Sequence, residues 1–151
     1  MKDDLLKELY RGPRILYALV PGGGQPGPYE YYQALSDPTR GRYNNLFLRV
    51  CNGMQMSRDR YHKLTKPHRG KQTDLWEFKD ISSKTRFLSF NDLFDDGTIR
   101  EARIILTHGF QKKEDDLAPR EIDQALRLQE DYYRKLQLNA KTQNKTPGRR
   151  K

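Results

Sequence analysis

The longest strand candidate in the chain lies between Arg100 and Phe110, and it limits the possible folds more than any other feature. The segment reads "REARIILTHGF", and its apolar middle is typical of a central strand. Two earlier segments, Leu75–Ile81 and Thr85–Asn91, alternate apolar and polar residues as half-buried strands do. The pair Asp96-Gly97 is a hairpin signal just before the long strand. These segments predict a small, mainly antiparallel sheet.

In two other segments, the apolar residues recur at the spacing of an α-helix. The segment from Pro38 to Met56 has the signature of a helix with one buried face, and it begins with Asp37 as its cap. That face consists of Tyr43, Leu46, Phe47, Val50 and Met54. Pro119 opens a second long helix. Its predicted docking face is Ile122, Ala125, Leu126, Gln129, Tyr133 and Leu136, which leaves Tyr132 outside it.

The N-terminal third adds a strand candidate at Arg14–Val20 and a short helix at "YEYYQAL". Residues 1–11 are consistent with a short helix or an arm. The order strand, two helices, three or four antiparallel strands and helix predicts a compact α+β domain with helices on one face of a sheet of four to five strands. We place one domain at residues 1–138 and expect the basic segment 139–151 to be a disordered tail.

The charge balance points to an anionic partner. The chain of 151 residues has a formal net charge of +9, which favours nucleic acid first and a membrane surface second. A basic protein with adhesive tails is the simpler alternative. Cys51 is the only cysteine, so no internal disulfide forms and a reducing compartment is expected. No stretch approaches the roughly 20 apolar residues of a membrane span, and a cytoplasmic location without membrane contact is expected.

The segment from Ser57 to Gln72 concentrates cations and two histidines. Such residues bind phosphates, and interleaved aromatic rings stack on splayed bases, a combination that suits RNA better than DNA. The candidate RNA-binding residues are Arg58, Arg60, His62, Lys63, Lys66, His68, Arg69, Lys71 and, from the last helix, Tyr133. The three histidines are scattered, so neither a metal nor another cofactor is expected. The "PGGGQPG" loop lacks the lysine of a phosphate-binding loop and is interpreted as a connector.

The same cations are compatible with RNA cleavage. The 2′-hydroxyl of RNA can attack the adjacent phosphate if one group removes its proton, a second protonates the departing 5′-oxygen, and fixed cations stabilise the added charge. Histidine suits these proton transfers, and so does a lysine whose pKa is lowered by neighbouring cations. Composition does not distinguish cutting from binding, because both need the same cations.

Four sequence blocks carry a resemblance to a known family. The blocks "LWEFK", "TRFLSF", "IILTHGFQKK" and "PREIDQAL" occur in this order between Leu75 and Leu126. In that order they resemble the RelE/HigB superfamily of toxin–antitoxin toxins, in particular its phage-protein-like HigB branch. The segment "RILYALVPGGGQPGPYEYYQAL" resembles the first strand and helix of that branch. The resemblance spans roughly residues 14–137.

The resemblance implies a RelE-like α+β ribonuclease fold without a cofactor. It implies cleavage of mRNA, commonly on the ribosome, and neutralisation by a helix-turn-helix antitoxin. It also implies that basic residues on the sheet do much of the catalytic work. By position, the candidate catalytic residues are Lys79, Arg86, His108, Lys112 and Lys113.

Two departures from the family pattern keep an alternative open. Glu114, Asp115 and Asp116 follow the lysine pair where the family often has a threonine, and they are placed to pair with the lysines. The segment from Tyr43 to Gln72 is longer than the family pattern. The alternative is a non-catalytic RNA- or protein-binding member of the same fold from a phage or mobile element. For His108, a buried histidine that orients its neighbours is the competing interpretation.

Overall fold

A computed structural model describes residues 5–144 of the chain. Residues 1–4 and 145–151 lie outside it, the latter including most of the predicted tail. The elements are β1 (Leu6–Arg11), β2 (Ile15–Leu19), α1 (Pro28–Gln33), α2 (Asp37–Cys51), β3 (Tyr61–Lys63), β4 (Leu75–Asp80), β5 (Thr85–Asp95), β6 (Arg100–Gln111) and α3 (Pro119–Asn144). Helix α3 thus continues six residues past the predicted domain boundary.

The strands form one sheet of six in the order β1-β2-β6-β5-β4-β3. Strands β2 and β6 are parallel, and every other neighbouring pair is antiparallel. The predicted α+β class and hairpin at Asp96-Gly97 are confirmed, but the prediction of four to five strands is wrong. The two edge strands were not predicted, and residues 1–11 were expected to form a short helix or an arm. Strand β3 has only three residues, and only the first residue of β1 is buried, so neither shows the apolar alternation that marks a strand in sequence.

Helices cover both faces of the sheet, which corrects the prediction that they share one. On the first face, α2 packs Tyr43, Phe47 and Val50 against strand residues such as Phe87 and Ile104. On the second, α3 packs against a separate apolar cluster that includes Leu88, Phe90, Ile105, Ala125 and Tyr132. The middle of β6 alternates between these two clusters, as the unbroken apolar run of a central strand requires.

Helix α3 docks through most of its predicted face but with the wrong tyrosine. Ala125 is fully buried, and Ile122, Leu126 and Leu136 pack on the same cluster. However, Tyr132 is 1% exposed and Tyr133 is 37% exposed, the reverse of the prediction. The buried tyrosine has polar partners that helical spacing does not reveal: Arg103 Nη1 donates to its hydroxyl at 3.2 Å, and that hydroxyl donates to Asp92.

A β-bulge in β6 determines where His108 points. Leu88 pairs with His108 and Ser89 with Leu106, so Thr107 is an extra residue on β6. Its hydroxyl donates to the carbonyl of Leu88 at 3.0 Å. One extra residue reverses the facing of all residues after it. Regular alternation along β6 would place His108 on the face of Ile104 and Leu106, but with the bulge it faces α3.

Gly109 is required because neighbouring side chains pack closely against its backbone. The strand continues to Gln111. A Cβ on Gly109 would collide with the ring of Tyr31 and lie 2.8 Å from Phe87 Cε1. We expect Gly109→Ala to lower the free energy of unfolding by about 1–3 kcal/mol, because the added methyl group overpacks this contact. Urea denaturation at equilibrium measures the change.

A matched control for this change is Gly41→Ala in α2. A Cβ on Gly41 would meet no atom within 4 Å, and the residue lies in the helix interior on its exposed side. There the methyl group raises helix propensity, so Gly41→Ala is expected to stabilise the fold by roughly 0.5–1 kcal/mol. Equal effects of the two substitutions would contradict the overpacking argument.

Candidate functional site

Three cations lie close together where the second sheet face extends beyond α3. Lys79 on β4 pairs directly with Arg86 on β5, and Arg86 pairs with Phe110 on β6. Lys112 follows two residues after Phe110 and is close enough to influence the charge of Lys79. We call Lys79, Arg86 and Lys112 the cation patch. Three of the five residues singled out from the sequence therefore meet, although they come from three strands or strand ends.

The environment of Lys79 makes its amine easier to deprotonate than that of a lysine in water. Partial burial lowers the pKa of Lys79 below its ordinary value, and the positive charges of Arg86 and Lys112 lower it further. The carboxylates of Glu77 and Asp59 act in the opposite direction. A lysine whose pKa is lowered in this way can accept a proton closer to neutral pH.

The buried guanidinium of Arg86 lies beside the carboxylate of Glu77. Its side chain is 6% exposed, and its Nε lies 3.4 Å from Glu77 Oε2. Its Nη1 donates to the carbonyl of Thr85 at 2.8 Å. The carboxylate of Glu77 is therefore a neighbour of Arg86 within the sheet. A guanidinium fixed in this way keeps its orientation when an anion approaches.

His62 completes this buried group. Its Nε2 lies 3.0 Å from Glu77 Oε1, and its Nδ1 lies 3.0 Å from the carbonyl oxygen of Lys63. His62 is thus engaged with Glu77 within the sheet, whereas the sequence analysis treated it as an RNA contact.

His108 lies apart from the cation patch. It pairs with Leu88, whereas Arg86 pairs with Phe110, so the two side chains belong to different rows of the sheet. Its Nε2 donates to Glu121 Oε1 at 2.9 Å, and its Nδ1 lies 3.1 Å from the Thr107 hydroxyl. Burial lowers the pKa of His108, and the hydrogen bond to Glu121 opposes that shift. Both ring nitrogens are occupied by neighbours in the fold.

Lys113 points to a different environment from Lys112. It is exposed, whereas Lys112 is half-buried. The acidic residues Glu114, Asp115 and Asp116 were expected to pair with the lysines. Within residues 5–140, none of the three comes within ion-pair distance of Lys112 or Lys113. The charge of the lysine pair is therefore not neutralised by this run.

The basic segment between α2 and β4 is anchored to α3. Arg69 and Gly70 both have positive φ and form a tight turn bounded by His68 and Lys71. His68 Nε2 and Arg69 Nη2 both contact the carboxylate of Asp123 at 2.7 Å. This contact holds the pKa of Asp123 well below its usual range, first through Arg69 and then through His68.

The remaining RNA-binding candidates divide by position. Exposed cations of the basic segment are Arg58, Lys63, Lys66 and Lys71, and Arg60 is half-buried beside the patch, where its carbonyl accepts from the Lys79 amide at 2.8 Å. Tyr133 lies elsewhere, since its hydroxyl donates to Asp92 at 3.2 Å. Asp92 is six residues from Arg86 along β5, which corresponds to about 20 Å.

Sequence reasoning missed Glu121 as a site residue. It lies in the first turn of α3 and reaches His108 only because the bulge turns that histidine towards the helix. No local pattern links two residues on a strand and the following helix in this way. Phe110 stacks on His108 and pairs with Arg86 across the sheet, so it lies between the patch and the His108–Glu121 pair.

Comparison with known proteins adds no family assignment: no family model matches the chain, and no curated protein matches it. Among the described residues, no group of three or more histidine, cysteine, aspartate or glutamate side chains is placed to hold a metal ion. None of the helices in this part of the chain combines the length and apolar character of a membrane span.

Proposed function

We propose that the protein is an endoribonuclease of the RelE/HigB type, the toxin of a toxin–antitoxin pair, which cleaves mRNA at the cation patch. The observation that carries the proposal is the direct cross-strand pair of Lys79 and Arg86, with Lys112 beside it. A phosphate group on this surface would meet three cations of which one, Lys79, has a lowered pKa. The four sequence blocks that resemble the superfamily contain all three residues.

The proposed reaction begins at the 2′-hydroxyl of the substrate. The neutral amine of Lys79 takes the hydroxyl proton while the 2′-oxygen attacks phosphorus. Arg86 pairs with the non-bridging oxygens, where negative charge increases in the transition state. The bond from phosphorus to the 5′-oxygen breaks, and the ammonium group of Lys112 gives that oxygen a proton. The products carry a 2′,3′-cyclic phosphate and a 5′-hydroxyl. The number of protons is conserved, because Lys79 gains one from the 2′-hydroxyl and Lys112 loses one to the 5′-oxygen.

The proposed partners follow from the same assignment. The mRNA is the substrate, the ribosome presents it, and a helix-turn-helix antitoxin neutralises the protein in the cytoplasm. The exposed cations Arg58, Lys63, Lys66 and Lys71 would hold the RNA backbone on either side of the cut. Contacts of this kind give binding that weakens steeply as the salt concentration rises.

The alternative function is RNA or protein binding without cleavage. The acidic run from Glu114 to Asp116 supports it, because these carboxylates lie next to the lysine pair in sequence and are exposed. The absence of ion pairs between this run and the lysines, within the described part of the chain, favours the nuclease. The alternative predicts tight RNA binding with intact RNA ends.

Cleavage of mRNA by the purified protein tests the proposal, with primer extension to map the ends. We expect cuts in the presence of EDTA, because the proposed chemistry uses only side chains, and we expect ribosomes to increase their number. Lys112→Ala is expected to lower the rate about 100-fold through loss of the proton donor. Lys113→Ala, the adjacent and more exposed lysine, serves as the matched comparison and is expected to change the rate less than threefold, roughly the loss of one screened surface charge.

Three outcomes are informative. Fragments with 5′-hydroxyl ends support the proposed mechanism, and 5′-phosphate ends rule out 2′-hydroxyl attack. Equal losses in the two lysine variants would remove Lys112 from its assigned role. Bound but uncut RNA, both with and without ribosomes, would favour the alternative function.

A further inference from the structure

A cleft opens where β2 ends beside β6. Strand β2 pairs with β6 only as far as the partners Ala18 and Leu106, yet β6 continues to Gln111. Beyond that point, the edge of β6 that faces β2 has no strand partner within residues 5–144. A cavity of about 710 Å³ lies there, between the glycine-rich loop after β2, α1 and α3. Its size is within the range of about 300–1,000 Å³ that is typical of small-molecule sites. We call it the β6 cleft.

Aromatic rings form part of the cleft wall. Tyr31 of α1 lies over Gly109 and meets the ring of Phe87 edge to face at 5.6 Å between centroids. Phe110 stacks on His108 at 5.2 Å between centroids. Both Tyr31 and Phe110 line the cavity. Rings fixed by such packing provide flat surfaces on which a nucleobase can stack.

The polar groups of the cleft are unusual for a protein of this charge. The side-chain amides of Gln25 and Gln124 line the cavity and make no hydrogen bond within the described residues. Two carboxylates line it as well. Glu30 Oε1 accepts from the Gly27 amide at 2.8 Å, and Glu121 Oε1 accepts from His108 at 2.9 Å. A carboxylate has about four acceptor positions, so each retains capacity for a ligand.

This set of groups selects for hydrogen-bond donors and against anions. Carboxylates repel a phosphate but accept from N–H groups, and glutamine amides can donate to a carbonyl oxygen. Among the RNA bases, guanine alone presents two adjacent N–H donors, N1–H and the N2 amine, next to an acceptor, O6. Adenine and cytosine each offer a single amine, and uracil offers a single N–H.

The cleft adjoins the cation patch. Phe110 pairs with Arg86 on one side and lines the cleft on the other. A smaller groove shares Phe110 and Glu121 with the cleft and is also lined by Lys112 of the patch. An RNA strand with one phosphate on the patch would therefore place a neighbouring base at the mouth of the cleft.

We propose that the β6 cleft binds a guanine base of the RNA substrate. The proposal rests on the proposed function, because the cation patch supplies the adjacent phosphate contact. The carboxylates accept from N1–H and the N2 amine, an amide of Gln124 or Gln25 donates to O6, and the base stacks against Tyr31. The cleft thus makes the choice of cleavage position depend on sequence, whereas the patch binds any phosphate.

Isothermal titration calorimetry with nucleoside 3′-monophosphates tests the proposal on the full chain. We expect guanosine 3′-monophosphate to bind about 10-fold more tightly than the inosine compound, which lacks only the N2 amine and so loses one hydrogen bond to a carboxylate. The adenosine compound, which lacks O6 and N1–H as well, should bind no better than the inosine compound. Gln124→Ala and Gln25→Ala are each expected to reduce the preference over adenosine, because they remove the donor to O6, and Gln137→Ala on the exposed surface of α3 is the matched control.

The outcomes separate this proposal from the nuclease proposal. Lys112→Ala is expected to weaken all three nucleotides equally and to leave the guanine preference unchanged. A guanine preference without RNA cleavage would support the cleft and reject the nuclease. Cleavage together with equal binding of the three nucleotides would reject the cleft proposal and leave the nuclease proposal standing. The cleft assignment also fails if no nucleotide binds, or if Gln137→Ala alters the preference as much as Gln124→Ala and Gln25→Ala do.

Discussion

Lys79→Met is expected to lower the rate of RNA cleavage by at least about 100-fold while leaving the fold intact. Methionine keeps the length and the apolar stem of lysine, so only the amine is lost. A proton-transfer group typically contributes about 100- to 10,000-fold to a rate. Lys79 is only partly buried, and the loss of its charge leaves Arg86 and Glu77 still paired. Single-turnover cleavage of a labelled RNA measures the rate, and thermal unfolding measures the stability of the variant.

The control for this change is Lys84→Met. Lys84 is exposed in the turn that follows β4, and its φ of 59° is equally unfavourable for lysine and methionine. The rate should remain within about twofold, as for a single screened surface charge. If Lys79→Met and Lys84→Met have the same effect, the amine of Lys79 is not the base.

The pH dependence of the wild-type rate follows from the same assignment. Burial, aided by Arg86 and Lys112, holds the pKa of Lys79 below the ordinary 10.5. The reactive form of Lys79 is the neutral amine, so the rate is expected to rise as the pH approaches this lowered pKa. In Lys79→Met this rising limb should be absent. A pH profile that is unchanged in the variant would assign the proton acceptor to another group.

Arg103→Ala is expected to have the largest effect on stability, a loss of about 3–5 kcal/mol in the free energy of unfolding. The Arg103 side chain is fully buried on the α3 face. Its Nε donates to Glu101 Oε1 at 2.9 Å, and its guanidinium carbon lies 3.9 Å from the centre of the Phe94 ring. Its Nη1 also donates to the hydroxyl of Tyr132, which anchors α3. Alanine removes these contacts together and leaves a cavity where the guanidinium lay.

Urea denaturation measures this loss, and Arg100→Ala is the matched control on the same strand. Arg100 is exposed, and its contact with Asp95 spans 4.0 Å, so its removal should change stability by no more than about 0.5 kcal/mol. Equal stability of Arg103→Ala and Arg100→Ala would show that the buried contacts contribute little.

Much of the architecture is encoded in local sequence patterns. The alternation in Leu75–Ile81 and Thr85–Asn91 predicts β4 and the first part of β5, and the apolar middle of Arg100–Phe110 predicts β6 as a central strand. The turn at Asp96-Gly97 and the start of α3 at Pro119 also follow from residue type. These features depend on neighbours within a few residues, so that a single sequence is sufficient to detect them.

The sequence also contains the members of the candidate site but not their arrangement. Lys79, Arg86, His108, Lys112 and Lys113 all stand out as candidates from the sequence alone. Only the sheet register places Lys79 next to Arg86, and only the difference in burial separates Lys112 from Lys113. The bulge at Thr107 then turns His108 onto the α3 face of the sheet, where its Nε2 contacts Glu121.

The tertiary structure decided these points because each depends on residues that are distant in the chain. A bulge arises from the pairing of two strands, and one extra residue changes every facing after it without altering the composition. Tyr132 is buried because Arg103, 29 residues earlier, offers its hydroxyl a partner. His68 and Arg69 are anchored by Asp123, more than 50 residues later. The sequence determined which elements form, and the pairing of distant elements determined which of its charged residues share a surface.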